Sequence, residues 1–325
     1  MLTPAILNRA RGALLGQATG DALGTTVEFL PSATATQALP HGPLEITGGG
    51  TFRVLAGQIT DDTELALALA RSLASRGRYD EDDVATAYVR WYRSAPFDCG
   101  GTVGRAFGIP ASATPTAAAL RARTNATSQA NGALMRVSPL AVWGWRLEPD
   151  TLAELAVADA SLSHPHPVCL AANVVFTHLI ARAIRTGDGP DALLADTLAW
   201  AAGRADCALA SPIIEAGLLG PPSDYYAHMG WLRIALQNAT YQLTHAPDLR
   251  EGVEDTVRHG GDSDTNAAIV GALLGAAHGA DAIPAQWRQV VLACHSPRPA
   301  EYQCADLGEL ADGLARAGAS FGEAV

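Results

Sequence analysis

The hydrophobic pattern of this chain reads as a succession of helices. Residues 4–23 predict the first, with Gly12, Gly16 and Gly20 on one face and Gly24 just beyond. Four-residue spacing lines these glycines up, so a second backbone can approach closely. Ala267, Gly271, Gly275 and Gly279 repeat the device. Similar rows of small residues occur in membrane helices. Arg9, Arg11, Gln17 and Asp21 interrupt the first row, which favours a soluble core. Residues 62–75 are apolar almost all round (Leu65, Leu67, Leu69, Leu73) and predict a buried central helix. Residues 81–92 are amphipathic, and 131–143, 151–161, 167–186, 191–202 and 228–244 also read as helices. Turns fall at 186–190 and 220–224. Residues 31–57, rich in Gly and Pro, predict a long ordered loop with a short strand near 44–47. Residues 94–108 predict a glycine-bearing loop. Nothing has the composition of a linker, so the expectation is all-α, one many-helix domain over residues 1–325.

Composition narrows the partners. Apolar residues make up 48% of the 325, mostly small ones, and aromatics are few. This favours closely packed helices over sheets of β-branched residues. The net charge is −11 and no block of Lys or Arg stands out, so no nucleic-acid backbone is expected as a partner. No uninterrupted apolar run reaches about 18 residues, so no membrane span is expected. Five cysteines lack metal-type spacing. An odd count without a signal peptide fits reduced thiols and a cytoplasmic location.

Two acidic clusters carry the candidate chemistry: Thr60-Asp61-Asp62-Thr63 and Gly261-Asp262-Ser263-Asp264-Thr265. Each opens a helical run. Part of this is ordinary, because Asp and Thr cap helix N-termini. Capping needs one such residue per helix, not four carboxylates. Packed together, these groups would repel one another and rise in pKa unless a cation neutralised them. Mg²⁺ and Mn²⁺ prefer such oxygens, and an Asp-x-Asp can bridge one ion to a second. Metal binding and plain capping both remain open on spacing alone. Gly260-Gly261 allows the tight backbone approach that metal binding would need.

The ensemble resembles the ADP-ribosylglycohydrolase family. The resemblance rests on residues 12–24 (GALLGQATGDALG), Val27-Glu28-Phe29, 57–64 (GQITDDTE), 131–136 (NGALMR), Ser163-His164 and 260–266 (GGDSDTN), in family order. It implies an all-α orthogonal bundle with two divalent cations, Mg²⁺ or Mn²⁺. Thr60, Asp61 and Asp62 would hold one, completed by Asp262, Asp264 and Thr265, with Asp264 as the bridge. It also implies cleavage at C1″ of the distal ribose, acting on an ADP-ribosylated protein or small ADP-ribose conjugate.

Further residues follow from this resemblance or from their own chemistry. Glu28 is expected beside the metals, as a ligand or on a mobile flap, or else as a surface carboxylate. Asp98 resembles the segment lining the scissile end, where it would pair with a departing guanidinium. Asp98 and Glu28 are thus the candidate catalytic carboxylates. Gly100, Gly101, Thr102 and Gly104 would offer neutral donors to a diphosphate. Asn131 and His164 are candidate ligand contacts, and Arg136 a structural partner for a carboxylate. Trp231, Tyr225 and Tyr226 are candidates to stack on adenine or to pack. Cys99 shows no sign of an activated nucleophile. The expected activity is metal-dependent hydrolysis of the N-glycosidic bond to arginine. The alternatives are serine-linked or free ADP-ribose derivatives, or a non-catalytic ADP-ribose-binding or immunity protein.

Overall fold

A computed structural model describes residues 2–321. In chain order the helices are α1 (Pro4–Gly24), α2 (Ser32–Ala38), α3 (Asp61–Arg76), α4 (Glu81–Arg93), α5 (Gly101–Phe107), α6 (Ala117–Arg121), α7 (Ser138–Trp143) and α8 (Pro149–Ser161). They continue with α9 (Pro167–Thr186), α10 (Pro190–Ala201), α11 (Ser211–Leu219), α12 (Leu232–His245), α13 (Leu249–Arg258), α14 (Ser263–His278), α15 (Ala285–Ala293) and α16 (Leu307–Phe321). Among the described residues only isolated bridges interrupt this all-α pattern, Gly49 with Val54 and Ala130 with Trp231.

Local chemistry fixes many helix ends. Thr3, Asp80 and Asp248 cap α1, α4 and α13, each accepting a backbone N–H three residues on. Gly77 and Gly187 end α3 and α9 in the left-handed conformation.

The glycine rows decide the centre of the fold. A Cβ on Gly12 would lie 2.8 Å from the carbonyl carbon of Gly275. One on Gly16 would lie 2.9 Å from that of Gly271, and one on Gly20 2.6 Å from that of Ala267. Helices α1 and α14 therefore touch backbone to backbone, and Gly24 rests against Asp264 itself. This contact carries Asp21 of α1 to the start of α14. Helix α3, apolar on most faces, is buried from Asp61 to Ala70.

Several segments differ from the sequence expectation. Residues 31–57 contain α2, and 44–47 form no strand. The backbone there is paired by side chains instead: Glu254 takes Leu44 N–H, Gln286 takes Ile46 N–H and returns a bond to its carbonyl, and Trp287 donates to Leu44 O. The expected loop 94–108 holds α5. The expected helix 131–143 divides into a 3₁₀ turn, Leu134–Arg136, and α7, whose first turn carries Pro139. Residues 228–231 form a turn tied to 129–131, so α12 begins at Leu232. Helices α6, α11, α13, α15 and α16 were not predicted. Helix α9 is by length and composition apolar enough to cross a bilayer. However, 83% of its apolar window is buried in the molecule, as in a core helix.

Candidate metal centre and substrate cavity

Three helices deliver carboxylates to one place. Asp21 comes from α1, Asp62 from the start of α3 and Asp264 from the start of α14. One oxygen from each lies within 4.8 Å of the others. Glu28, Asp262 and Asp264 form a second such set. Asp264 belongs to both. The α1–α14 contact places Asp21, and a backbone clamp places Glu28. In that clamp Phe29 N–H donates to Gly261 O at 2.7 Å, and Gly261 N–H donates to Leu30 O at 2.9 Å. Gly260 and Gly261 both have positive φ, which only glycine adopts without strain.

Neutral donors orient the cluster. Asp21 accepts Thr60 N–H at 3.1 Å and Thr63 N–H at 3.1 Å. The Thr60 hydroxyl lies 3.0 Å from Asp21 and 2.9 Å from Asp62. Asn131 donates to Asp262 at 2.6 Å. Thr265 donates its N–H to Asp264 at 2.9 Å. Asp62 Oδ1 and Glu28 Oε2 are buried with no hydrogen-bond partner.

These orphaned oxygens test whether the residues suit a metal. A buried carboxylate oxygen without a donor is costly. An all-oxygen set of buried carboxylates is the environment hard divalent cations take. The residues therefore fit such ions.

The electrostatics agree. Burial pushes Asp21 up to about 7, against the pull of its hydrogen bonds from Thr60 and Thr63. Burial, then Asp98 and Asp262, push Glu28 up to about 9. Burial raises Asp262 to about 6. Burial followed by neighbouring carboxylates holds Asp61, Asp62 and Asp264 well above the usual range.

A cavity of about 270 Å³ opens beside the cluster. Its lining includes Glu28, Asp61, Asp98, Gly100, Gly101, Thr102, Asn131, His164, Asp262, Asp264 and Thr265. Asp61 stands outside both three-carboxylate sets, accepting Gly100 N–H at 3.3 Å, and lines the cavity with Asp98. Burial raises Asp98, against the pull of the Cys99 N–H. Gly101 and Thr102 begin α5, so their N–H groups have no partner inside the helix. Gly104 differs: its N–H is taken by Gly100 O within α5, and it does not line the cavity.

Other expectations resolve as follows. Arg136 is fully buried against Asp159, a structural partnership. Tyr225 is buried with its hydroxyl on Asn238, so it offers no face to a ligand. Trp231 is 37% exposed and lines an adjoining cavity with His228 and Met229. Burial pushes the Cys99 thiol up to about 12, which removes it as a nucleophile. Asp21 was missed as a site residue. Its signal was the one charge in residues 12–24, next to a glycine of the packing row.

The fold and site together define an all-α protein with a carboxylate-lined catalytic-type cavity. A solved structure described as an ADP-ribosylglycohydrolase-related protein complex matches with a TM-score of 0.79 and 32% identity, over 97% of this chain and 100% of that one. The sequence model of ADP-ribosylglycohydrolase matches residues 2–321, and this chain belongs to that family. It is 33% identical over 294 residues to the ADP-ribosyl-[dinitrogen reductase] glycohydrolase of Rhodospirillum rubrum, spanning 88% of this chain and 91% of that protein. It is 29% identical to the ADP-ribosylarginine hydrolase Tri1 of Pseudomonas putida, over 89% of this chain and 76% of that protein. The likeness to human ADP-ribosylhydrolase ARH3 is 37% over 93 residues, 28% of this chain and 26% of that protein.

Proposed function

We propose that this chain removes ADP-ribose from modified proteins by hydrolysing the N-glycosidic bond to arginine, with Mg²⁺ or Mn²⁺ as cofactor. The observation that carries the reading is Asp264, shared by two sets of three carboxylates. Asp21, Asp62 and Asp264 would hold one cation and Glu28, Asp262 and Asp264 the other, with Thr60, Asp61 and Thr265 beside them. Bound there, the pair would supply Lewis-acid stabilisation to ribose oxygens.

The remaining chemistry falls to the chain itself. The N–H groups of Gly101 and Thr102 offer neutral donors to an anionic ligand. Asn131 holds Asp262 in place. Asp98 lies outside both carboxylate sets and lines the cavity with Asp61. It is the group free to move a proton as C1″ gains oxocarbenium character and to pair with the departing guanidinium. Arginine as the acceptor is supported by likeness along most of the chain to a protein named ADP-ribosylarginine hydrolase. A cytoplasmic setting is supported by five free cysteines.

The test is release of ADP-ribose from arginine-linked and serine-linked peptides, each with Mg²⁺, Mn²⁺ or EDTA. Metal-dependent release from the arginine peptide is expected. Preference for serine, or binding without turnover, would refute the reading.

A further inference from the structure

Behind the cavity runs a buried chain of hydrogen bonds that the proposed reaction does not use. Arg136 pairs with Asp159 at 3.3 Å and lies 4.7 Å over the Tyr88 ring, whose hydroxyl donates to Asp159 at 2.7 Å. Arg136 Nη1 donates to Gly132 O and to Ser163 Oγ, both at 2.8 Å. Ser163 Oγ lies 2.8 Å from His164 Nδ1. His164 lines the cavity, and its buried Nε2 has no hydrogen-bond partner.

Counting protons gives the chain a direction. Arginine only donates, so Ser163 Oγ accepts from Arg136. The hydroxyl proton then needs an acceptor, and among the described residues His164 Nδ1 is the one within reach. The imidazole is neutral, because burial and then Arg136 push its pKa down to about 3. A neutral ring that accepts at Nδ1 carries its proton on Nε2.

We propose that Arg136 and Ser163 are positioning residues that lock His164 in the Nε2–H tautomer, so that the ring presents a neutral donor to a ligand oxygen in the cavity. The proposal rests on reading that cavity as the site for ADP-ribose. A buried donor without a partner is costly until an acceptor arrives, which reserves it for a ligand. The neighbouring wall is cut back to suit. A Cβ on Gly132 would lie 3.2 Å from Nε2 and 3.0 Å from Cε1.

The experiment is long-range ¹⁵N–¹H correlation spectroscopy on histidine-labelled protein, with His164 assigned by its loss in H164Q. The expected signature is a protonated Nε2 and a bare Nδ1, unchanged from about pH 5 to about pH 8. A protonated Nδ1, averaged shifts or a titration in that range would overturn the proposal. Calorimetry with free ADP-ribose adds a second arm. S163A should lose the fixed tautomer and bind about five- to tenfold more weakly, with Mn²⁺ affinity unchanged. H164Q, whose amide can replace the Nε2–H donor, should bind more tightly than H164L. Equal ADP-ribose affinity in all variants would overturn the donor role. Wild-type protein that shows the tautomer but binds no ADP-ribose would refute the proposed function instead, leaving the tautomer assignment standing.

Discussion

Replacing Gly20 with alanine tests how the site is assembled. The added Cβ would stand 2.6 Å from the carbonyl carbon of Ala267, and closer still to its oxygen. Ordinary contact begins near 3.4 Å, so α1 and α14 must part by at least about 0.8 Å at this level. Both surfaces there are backbone, and no flexible side chain can turn aside. Overpacking usually costs about 1–3 kcal/mol, and this rigid contact belongs at the upper end or beyond. Asp21 follows Gly20 directly, and Asp264 lies one turn before Ala267. The same displacement should therefore spread Asp21, Asp62 and Asp264, whose oxygens now lie within 4.8 Å. Gly313 on α16 is the control, because a Cβ there meets nothing within 4 Å. G313A should be neutral or stabilising by up to about 1 kcal/mol, from helix propensity. Denaturant unfolding and Mn²⁺ titration are the assays. G20A should lose both stability and metal affinity. Wild-type values for both would refute the claim that this backbone contact builds the centre.

Three further outcomes are expected. Chelator-treated protein should lose thermal stability as pH rises from about 5 to about 9. Asp262, Asp21 and Glu28 stand at about 6, 7 and 9 when folded, above the usual carboxylate values of about 4 in the unfolded chain. The folded state then binds protons more tightly, and that advantage disappears through this window. Added Mn²⁺ should abolish the decline, and an identical pH profile with and without Mn²⁺ would contradict the metal centre. D98N should lose turnover of ADP-ribosyl-arginine by at least about 100-fold while Mn²⁺ titrations stay as in wild type; unchanged turnover would remove Asp98 from the mechanism. R298A should destabilise by about 3–5 kcal/mol in denaturant melts, because it leaves Glu64 buried without its charge partner. Arg298 also donates to the carbonyls of Ser94 and Ala95, so the more conservative R298K should fold yet lower turnover through the Asp98 loop.

The acidic half of the site was legible because its residues are dense in sequence. Thr60 to Thr63 and Asp262 to Thr265 stand out wherever they fall in a fold. Asp21 was not, because its meaning depends on a partner helix about 240 residues away. The glycine spacing of α1 and α14 announced close approach, but not that the two rows approach each other. Gly104 shows the opposite error. It was expected to offer a free N–H to a diphosphate, but it follows Gly100 by four residues. Four residues is one helical hydrogen bond, and the helix took it. At 44–46 the pattern implied a strand, but none forms, and Glu254, Gln286 and Trp287 supply the partners a second strand would have given.

The arrangement of donors explains how so many carboxylates share one pocket without a cationic side chain paired to them. Thr60, Thr63, Gly100 and Asn131 aim neutral groups at Asp21, Asp61 and Asp262. Such bonds fix each carboxylate's direction and draw its pKa down, but add no positive charge to compete with a cation. The buried guanidiniums of Arg136 and Arg298 are instead committed to Asp159 and Glu64. The unpaired oxygens of Asp62 and Glu28 are therefore left for something outside the chain. Had an arginine met them, the cluster would be more stable when empty and less able to bind. The stability forgone at those two oxygens is what the proposed cation would restore on binding.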